Sequence, residues 1–329
     1  MRDKTSTTSI MRDVIIALLP ATAAGAVFFG WKALLIIAVC VGTCIASEFL
    51  FNLIAKKKQT VGDLSAIVTG LLLALNLSTN VSVWQCVVGS VFAIVVVKCL
   101  FGGIGHNFAN PAISARVLLL IAFSGSVAGG AATNFVEVVG GATPLSVIQE
   151  NIASGSPALG GAPSLFNMFI GNIGGAIGET CVPALLLGFI YLLVRRVIKW
   201  HTPVIFVGTV FVFAFFYAFA AKEDILAALK TDLFSVLKEN LRFALYEILG
   251  GGLILGAVFM ATDYSTTPIN NRGKMVFALG CGIITCLIRF FGDYPEGVSF
   301  AILLMNILSP LIERVTAKRP FGGKKNAKK

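Results

Sequence analysis

The stretch ALLIIAVCVGTCIASEFLFNLI, residues 33–54, carries a single charged side chain, Glu48. As a helix it rises about 33 Å, enough to cover the roughly 30 Å hydrocarbon core of a bilayer. Only helices and closed barrels satisfy their own backbone polar groups in that setting. Around this run, Ala33–Ile54, lie similar apolar runs, Val14–Phe29 before it and Leu64–Leu77, Val83–Phe101 and Pro111–Phe123 after it. Then come Cys181–Val197, Pro203–Ala220, Ile248–Thr262, Met275–Phe291 and Val298–Ile312. The expected fold is an all-α integral membrane protein of ten transmembrane helices. Leu64–Leu77 and Pro111–Phe123 are short for a full crossing, which suits tilted, broken or half-spanning helices.

Composition agrees with this. Of 329 residues 57% are hydrophobic and 13% charged, against roughly 25% charged in soluble domains. Such apolar content excludes disorder, and seven Cys in so long a chain exclude a disulfide scaffold. The net charge of +10 raises the question of nucleic-acid binding, but its distribution answers otherwise. With the N-terminus inside, 19 Lys and Arg fall on the cytoplasmic side, Lys98 among them, and six on the outside, Arg289 among them. The positive-inside rule accounts for this asymmetry, and no nucleic-acid partner is expected. The first span follows a charged arm without a small-residue cleavage pattern, so no cleavable signal peptide is expected. The basic tail, residues 318–329, is expected to be disordered and to suit anionic membrane lipid or an acidic partner face.

Ten spans divide into five and five around a long loop. An odd number per half reverses the second half, so a duplication would give two inverted five-helix repeats, a plan shared by many transporters. Gly70 in Thr69–Leu73 echoes Gly256 in Leu255–Phe259, and Leu100-Phe101-Gly102 echoes Phe290-Phe291-Gly292. Apolar helices also produce such echoes by chance. The expected division is a first membrane half at 1–123, an external Gly-rich loop at 124–180, a second half at 181–317 and the tail at 318–329.

The loop is polar and Gly-rich from Ser124 to Asn167 and has no Lys or Arg; loops of this length are usually functional or disordered. It contains Gly140-Gly141-Ala142-Thr143-Pro144-Leu145. Thr followed by Pro reads as an N-cap and first helical residue, with Leu145, Ile148 and Ile152 at helical spacing behind it. A short interfacial helix capped by Thr143 is therefore expected.

Gly141-Ala142-Thr143 also resembles the flavinylation motif, Ser/Asp-Gly-Ala-Thr, of the NqrB/RnfD family of the Rnf and Na⁺-translocating NADH:quinone reductase complexes. Gly140 stands where Ser or Asp is commoner. Three further segments resemble the family in the same order: Gly102–Ala112 with its Asn110-Pro111-Ala112, Gly171–Thr180, and Met260-Ala261-Thr262-Asp263 running to Pro268. The resemblance lies with the Rnf branch rather than the quinone-reductase branch, whose B subunit has a long N-terminal extension. It implies FMN esterified through its phosphate to Thr143 by a flavin transferase outside a prokaryotic plasma membrane, beside Gly141 and Ala142. It also implies a second, unesterified flavin (riboflavin) near the cytoplasmic side, placed here by Asp263 and Thr267. The cap and attachment readings are compatible, because a helix N-terminus favours an anion. The activity implied is ferredoxin:NAD⁺ oxidoreduction coupled to Na⁺ or H⁺ movement, with other subunits of the complex holding ferredoxin and NAD⁺.

Other features point away from soluble chemistry. Gly102–Gly105 follows a span rather than a strand and lacks the Lys and Ser/Thr of a phosphate loop. Asn110-Pro111-Ala112 occurs once, which favours helix initiation over a paired water-channel signature. The seven Cys lie in or beside spans without Cys-x-x-Cys, as small buried hydrophobes. His106 and His201 have no neighbouring ligands in sequence, so neither a metal site nor hydrolytic residues are expected. Glu48 and Arg116 lie inside spans, as a buried pair or as ion-path residues. Glu179 and Glu247 read as helix-start carboxylates. The competing class is an inverted-repeat solute channel or carrier without a redox cofactor.

Overall fold

The computed structural model describes residues 6–129, 131, 133, 143–154, 159–220, 233–292 and 294–317. Among them there are helices and no strand. The first five runs become α1 (Thr7–Phe29), α2 (Trp31–Ile54), α3 (Ser65–Leu75), α4 (Val83–Cys99, its second half wound as a π-helix) and α5 (Pro111–Ala122). Then come the short α6 (Ser124–Val127), α7 (Pro144–Ala153) and α8 (Leu165–Ile170). The remainder is α9 (Val182–Val194), α10 (His201–Ala220), α11 (Leu233–Leu249), α12 (Leu253–Met260), α13 (Asn271–Phe291) and α14 (Val298–Thr316).

All ten apolar runs contain helix, but not ten equal crossings. Five helices, α1, α2, α10, α13 and α14, are long and apolar enough to span alone. The bent pair α11–α12 makes a sixth, with 63° between its parts. α3 and α5, of 11 and 12 residues, rise only about 16–18 Å, roughly half a bilayer core. The protein is a multi-pass membrane protein in which several helices stop short.

The eighth run departs from its reading. It is the end of α11, a break at Gly250-Gly251-Gly252, and α12. Most of α11 lies outside any apolar run because Lys238, Glu239, Arg242 and Glu247 make its composition polar. Its buried residues, Val236, Asn240, Phe243, Ala244, Tyr246 and Glu247, nonetheless fall on one face at helical spacing, the mark of an amphipathic helix.

Where a helix stops inside the protein, its last carbonyls need donors. In α3 the Leu72, Leu73 and Ala74 carbonyls accept from Asn76 and Leu77 just beyond the helix, while the last one, Leu75 O, accepts from Gly178 N–H across the molecule at 2.8 Å; next to it Ile177 N–H donates to Leu77 O at 3.0 Å. Gly178 permits the approach, since a Cβ there would lie 2.5 Å from Leu75 Cβ. α5 starts as the sequence indicates, with Asn110 Oδ1 accepting from Ala112 N and Ile113 N and Pro111 in the first turn.

Within the first half α2 packs on α3 and α4, and within the second α10 packs on α13 and α11. Between halves α1 lies along α9 and α5 against α14, first with first and fifth with fifth. Tyr191 Oη on α9 and Arg195 just past its end both donate to buried Asp13 on α1, at 3.2 and 3.3 Å. The Gly70–Gly256 echo is not a shared contact: Gly70 faces Cys40 and Val41 of α2, whereas Gly256 faces Val298 of α14.

The α1–α9 crossing depends on Gly188, where a Cβ would fall 2.2 Å from the Ala17 carbonyl oxygen; at Gly208 on α10 it would meet nothing. Gly188→Ala is expected to cost about 1–3 kcal/mol by overpacking. Gly208→Ala, which only gains helix propensity, should be neutral or stabilising by up to about 1 kcal/mol. Thermal unfolding of the two variants in detergent checks the opposite signs.

Candidate functional site

Thr143 takes the extended conformation of an N-cap and closes a reciprocal pair with Ser146. Its Oγ1 accepts from Ser146 N at 3.2 Å, and Ser146 Oγ accepts from Thr143 N at 2.8 Å. The capped helix α7 is as the sequence reading expects. Gly141 and Ala142 lie outside the described residues. Thr143 is only 7% exposed, so a bulky group on Oγ1 requires its surroundings to give way. The chemistry fits a phosphate, because the first-turn N–H of Ser146 already points at that oxygen. The notch beneath α7, between Leu145, Gln149, Glu247 and Arg289, holds about 10 Å³, room for one water. A flavin ring on Thr143 would therefore lie outside the notch.

α7 rests on the break between α11 and α12. Side chains at Gly250 and Gly251 would meet Leu145 at 2.9 and 2.8 Å, and Gly251 has φ +64°. Gln149 Nε2 donates to Gly292 O at 2.7 Å, tying α7 to the end of α13.

Beneath the break lie two buried ion pairs that the sequence reading did not assemble. Arg116 Nη1 donates to Glu179 Oε1 at 2.6 Å and also bonds Asn76 Oδ1, while its Nη2 bonds Glu296. Arg289 Nη1 bonds Glu247 Oε2 at 3.1 Å and the Glu247 carbonyl at 2.6 Å. Glu247 is thus near the end of α11, not at a helix start, because α11 precedes the break. Glu179, three residues before α9, turns to Arg116 instead of capping that helix.

Glu48 does not pair with Arg116. Its Oε2 accepts from Lys98 Nζ at 2.7 Å and its Oε1 from Thr60 Oγ1 at 2.5 Å, while Lys98 also donates to Ser65 Oγ at 2.5 Å. Glu48 and Lys98 are 0% and 2% exposed. Lys98 and Arg289 are therefore not the loop charges that the sequence count makes them. Each sits near the end of its half's fourth long run, facing inward, and removing both leaves the charge asymmetry intact.

The opposite end of the molecule from Thr143 has a cleft of about 90 Å³ open to the outside. Its polar lining includes Ser65, Lys98, Asn107, Asn110, Asp263 and Ser265. Asp263 accepts from Ser265 N, Ser265 Oγ and Thr266 Oγ1 at 3.0–3.3 Å. Asp63 holds Ser65 in a matching turn on the same cleft, at 2.8 Å to its N and 2.5 Å to its Oγ. Asp263 keeps some accessible area, yet the protein packed around it pushes its carboxyl above the usual range, against the pull of the Ser265 and Thr266 hydrogen bonds. Thr267 is not part of the lining; its Oγ1 donates back to the Asp263 carbonyl at 2.6 Å. Asn107 Oδ1 is buried without a partner, an acceptor available to a ligand. The seven Cys are free thiols, six of them buried, as expected of small core residues.

With five or six membrane-capable helices, half-length helices packed between them and buried ion pairs, the structure is that of a multi-pass membrane protein rather than a soluble catalyst. The chain belongs to the NQR2, RnfD, RnfE family, whose profile it matches over residues 1–322. It is 42% identical to the D subunit of the Na⁺-translocating ferredoxin:NAD⁺ oxidoreductase complex of Acetobacterium woodii, over 98% of this chain and 93% of that one. It is 35% identical to the D subunit of the proton-translocating ferredoxin:NAD⁺ oxidoreductase complex of Clostridium ljungdahlii, over 96% and 92%. It is also 36% identical to the D subunit of the ion-translocating oxidoreductase complex of Stutzerimonas stutzeri, over 97% and 93%.

Breaking a buried pair costs more than removing it whole. Glu48→Gln, which strands Lys98, is expected to destabilise by about 3–5 kcal/mol. The Glu48→Gln/Lys98→Met double variant should recover more than half of that loss, read as unfolding midpoints in one detergent.

Proposed function

We propose that the chain is the membrane-embedded D-type subunit of an ion-translocating ferredoxin:NAD⁺ oxidoreductase complex. In this reading it carries FMN esterified to Thr143, and electron flow is coupled to Na⁺ or H⁺ transport. Full-length similarity to three such subunits supports the complex. The observation that carries the cofactor is Thr143 Oγ1 itself: an N-cap hydroxyl, in Gly-Ala-Thr, facing a first-turn N–H. FMN bound there would supply one-electron carrier chemistry. The protein's part is to hold the phosphate with α7's first-turn N–H groups and to fix α7 on the break through Leu145 and Gln149. A flavin transferase is the partner that would make the ester. The loop then lies outside, both termini lie in the cytoplasm, and the two halves are inverted repeats. The α1–α9 and α5–α14 pairings support the repeat plan.

Riboflavin belongs to the cleft at the other end in this reading, against Asp263, Asn107 and Asn110. The cleft's volume of about 90 Å³ is below the roughly 150 Å³ of an engineered cavity that takes benzene. A three-ring flavin would need Met11, Leu72 and Phe259 to give way.

After coexpression with a flavin transferase, the denatured band of the protein should fluoresce under ultraviolet light. Thr143→Val should abolish that signal, whereas Ser146→Ala, which removes only the reciprocal cap, should keep it. A dark wild-type band, with the transferase shown active on another substrate, overturns the attachment and favours a carrier without a redox group. Separately, acid denaturation should release free riboflavin from the wild type, and Asp263→Leu should lower the released amount while leaving the fluorescent band. Equal release from both refutes the cleft assignment.

A further inference from the structure

The break between α11 and α12 gathers five ionisable side chains from five parts of the chain. They are Arg116 of α5, Glu179 of the segment before α9, Glu247 of α11, Arg289 of α13 and Glu296 of the segment before α14. Two glycines join the two ion pairs into one cluster. A Cβ at Gly252 would lie 2.4 Å from Glu179 Oε1 and 3.2 Å from Arg116 Nη1. A Cβ at Gly251 would lie 3.3 Å from Arg289 Nη2 and 3.5 Å from Glu296 Cγ. The only further polar side chain bonded to the cluster among the described residues is the Asn76 amide, through Arg116.

Two guanidinium groups face three carboxylates. The surplus negative charge has a place: Glu179 is 5% exposed, its Oε1 takes the Arg116 hydrogen bond, and its Oε2 is buried with no partner at all. An ionised carboxylate oxygen left bare in a low-dielectric interior is driven to take a proton or a counter-cation. The neighbourhood also offers hard oxygen ligands of the kind small cations prefer. These are the Glu179 and Glu296 carboxylates.

We infer that this cluster, centred on Glu179 Oε2 with Glu296 as its second carboxylate, binds one monovalent cation, a sodium ion or a proton, during transport. The inference rests on the reading of the chain as an ion-translocating subunit and names the site within it. Location supplies the coupling. Leu145, two residues after Thr143, packs on Gly250 and Gly251, directly above the cluster. Negative charge arriving at the Thr143 end raises the cluster's affinity for a cation by Coulomb attraction, and its departure lowers it.

The test uses inverted membrane vesicles containing the assembled complex, energised with reduced ferredoxin and NAD⁺. Uptake of radioactive Na⁺ and quenching of a pH-sensitive dye are read in parallel, so the wild type identifies its own cation. Glu179→Gln and Glu296→Gln each neutralise the surplus charge. Each is expected to lower uptake of that cation about tenfold or more. NADH formation in the presence of an ionophore and the fluorescent Thr143 band should both persist. Glu179→Asp, which keeps the charge, should restore part of the uptake. Glu296→Gln, reaching the cluster from its partly open edge, decides the matter if Glu179→Gln yields no assembled complex. Wild-type uptake in Glu296→Gln with the band still fluorescent overturns the site. A dark band with uptake still responding to these variants overturns the flavin attachment and leaves the cation site standing.

Discussion

A helix that stops halfway through a membrane has nowhere to send its last carbonyls except into the protein. In α3 the final carbonyl, Leu75 O, and the Leu77 carbonyl just after it are met by the N–H groups of Gly178 and Ile177 from far along the chain. Two backbone hydrogen bonds thereby fix the approach to α9 and, one residue on, turn Glu179 toward Arg116. The same pairing brings the end of α3 to the centre of the molecule, where Asn76 reaches Arg116 as well. Without this closure there would be unsatisfied carbonyls in an apolar interior, each costing several kcal/mol.

The buried charges follow a common logic. Lys98 with Glu48 and Arg289 with Glu247 each join a basic residue near the end of a half's fourth long run to a Glu of the same half. Such pairs contribute little net stability, because desolvation offsets most of their attraction, but they penalise any arrangement that separates them. They therefore specify which helices lie side by side more than they strengthen the bundle. Arg116 differs in serving two carboxylates, Glu179 and Glu296, from segments that lead into α9 and α14. It links the α5–α14 contact to the cap of α3, so that one guanidinium spans the seam between the halves.

α7 connects this seam to the loop that carries Thr143. Its cap is local, made by Thr143, Pro144 and Ser146, yet its position is set by Leu145 on Gly250 and Gly251 and by Gln149 on Gly292. The cap and the charge cluster are therefore separated by one packed side chain, Leu145. Membership of the NQR2, RnfD, RnfE family places this arrangement among proteins named for coupling redox chemistry to ion movement.

Much of this was legible from residues alone, because lipid imposes a local rule. An apolar run must be helical, so all ten runs contain helix, and Asn110-Pro111 and Thr143-Pro144 start helices where cap chemistry says they should. The reading failed where a local rule had nothing to measure. α11 was hidden by its charges until its buried stripe had something to pack against. Glu48 and Arg116 were both recognisable as costly buried groups, but their partners, Lys98 for one and Glu179 and Glu296 for the other, come from residues up to 180 positions away. Helix identity depends on a chain's own composition and hydrogen bonds. Charge pairing depends on which helices become neighbours, and no pattern along one helix records that.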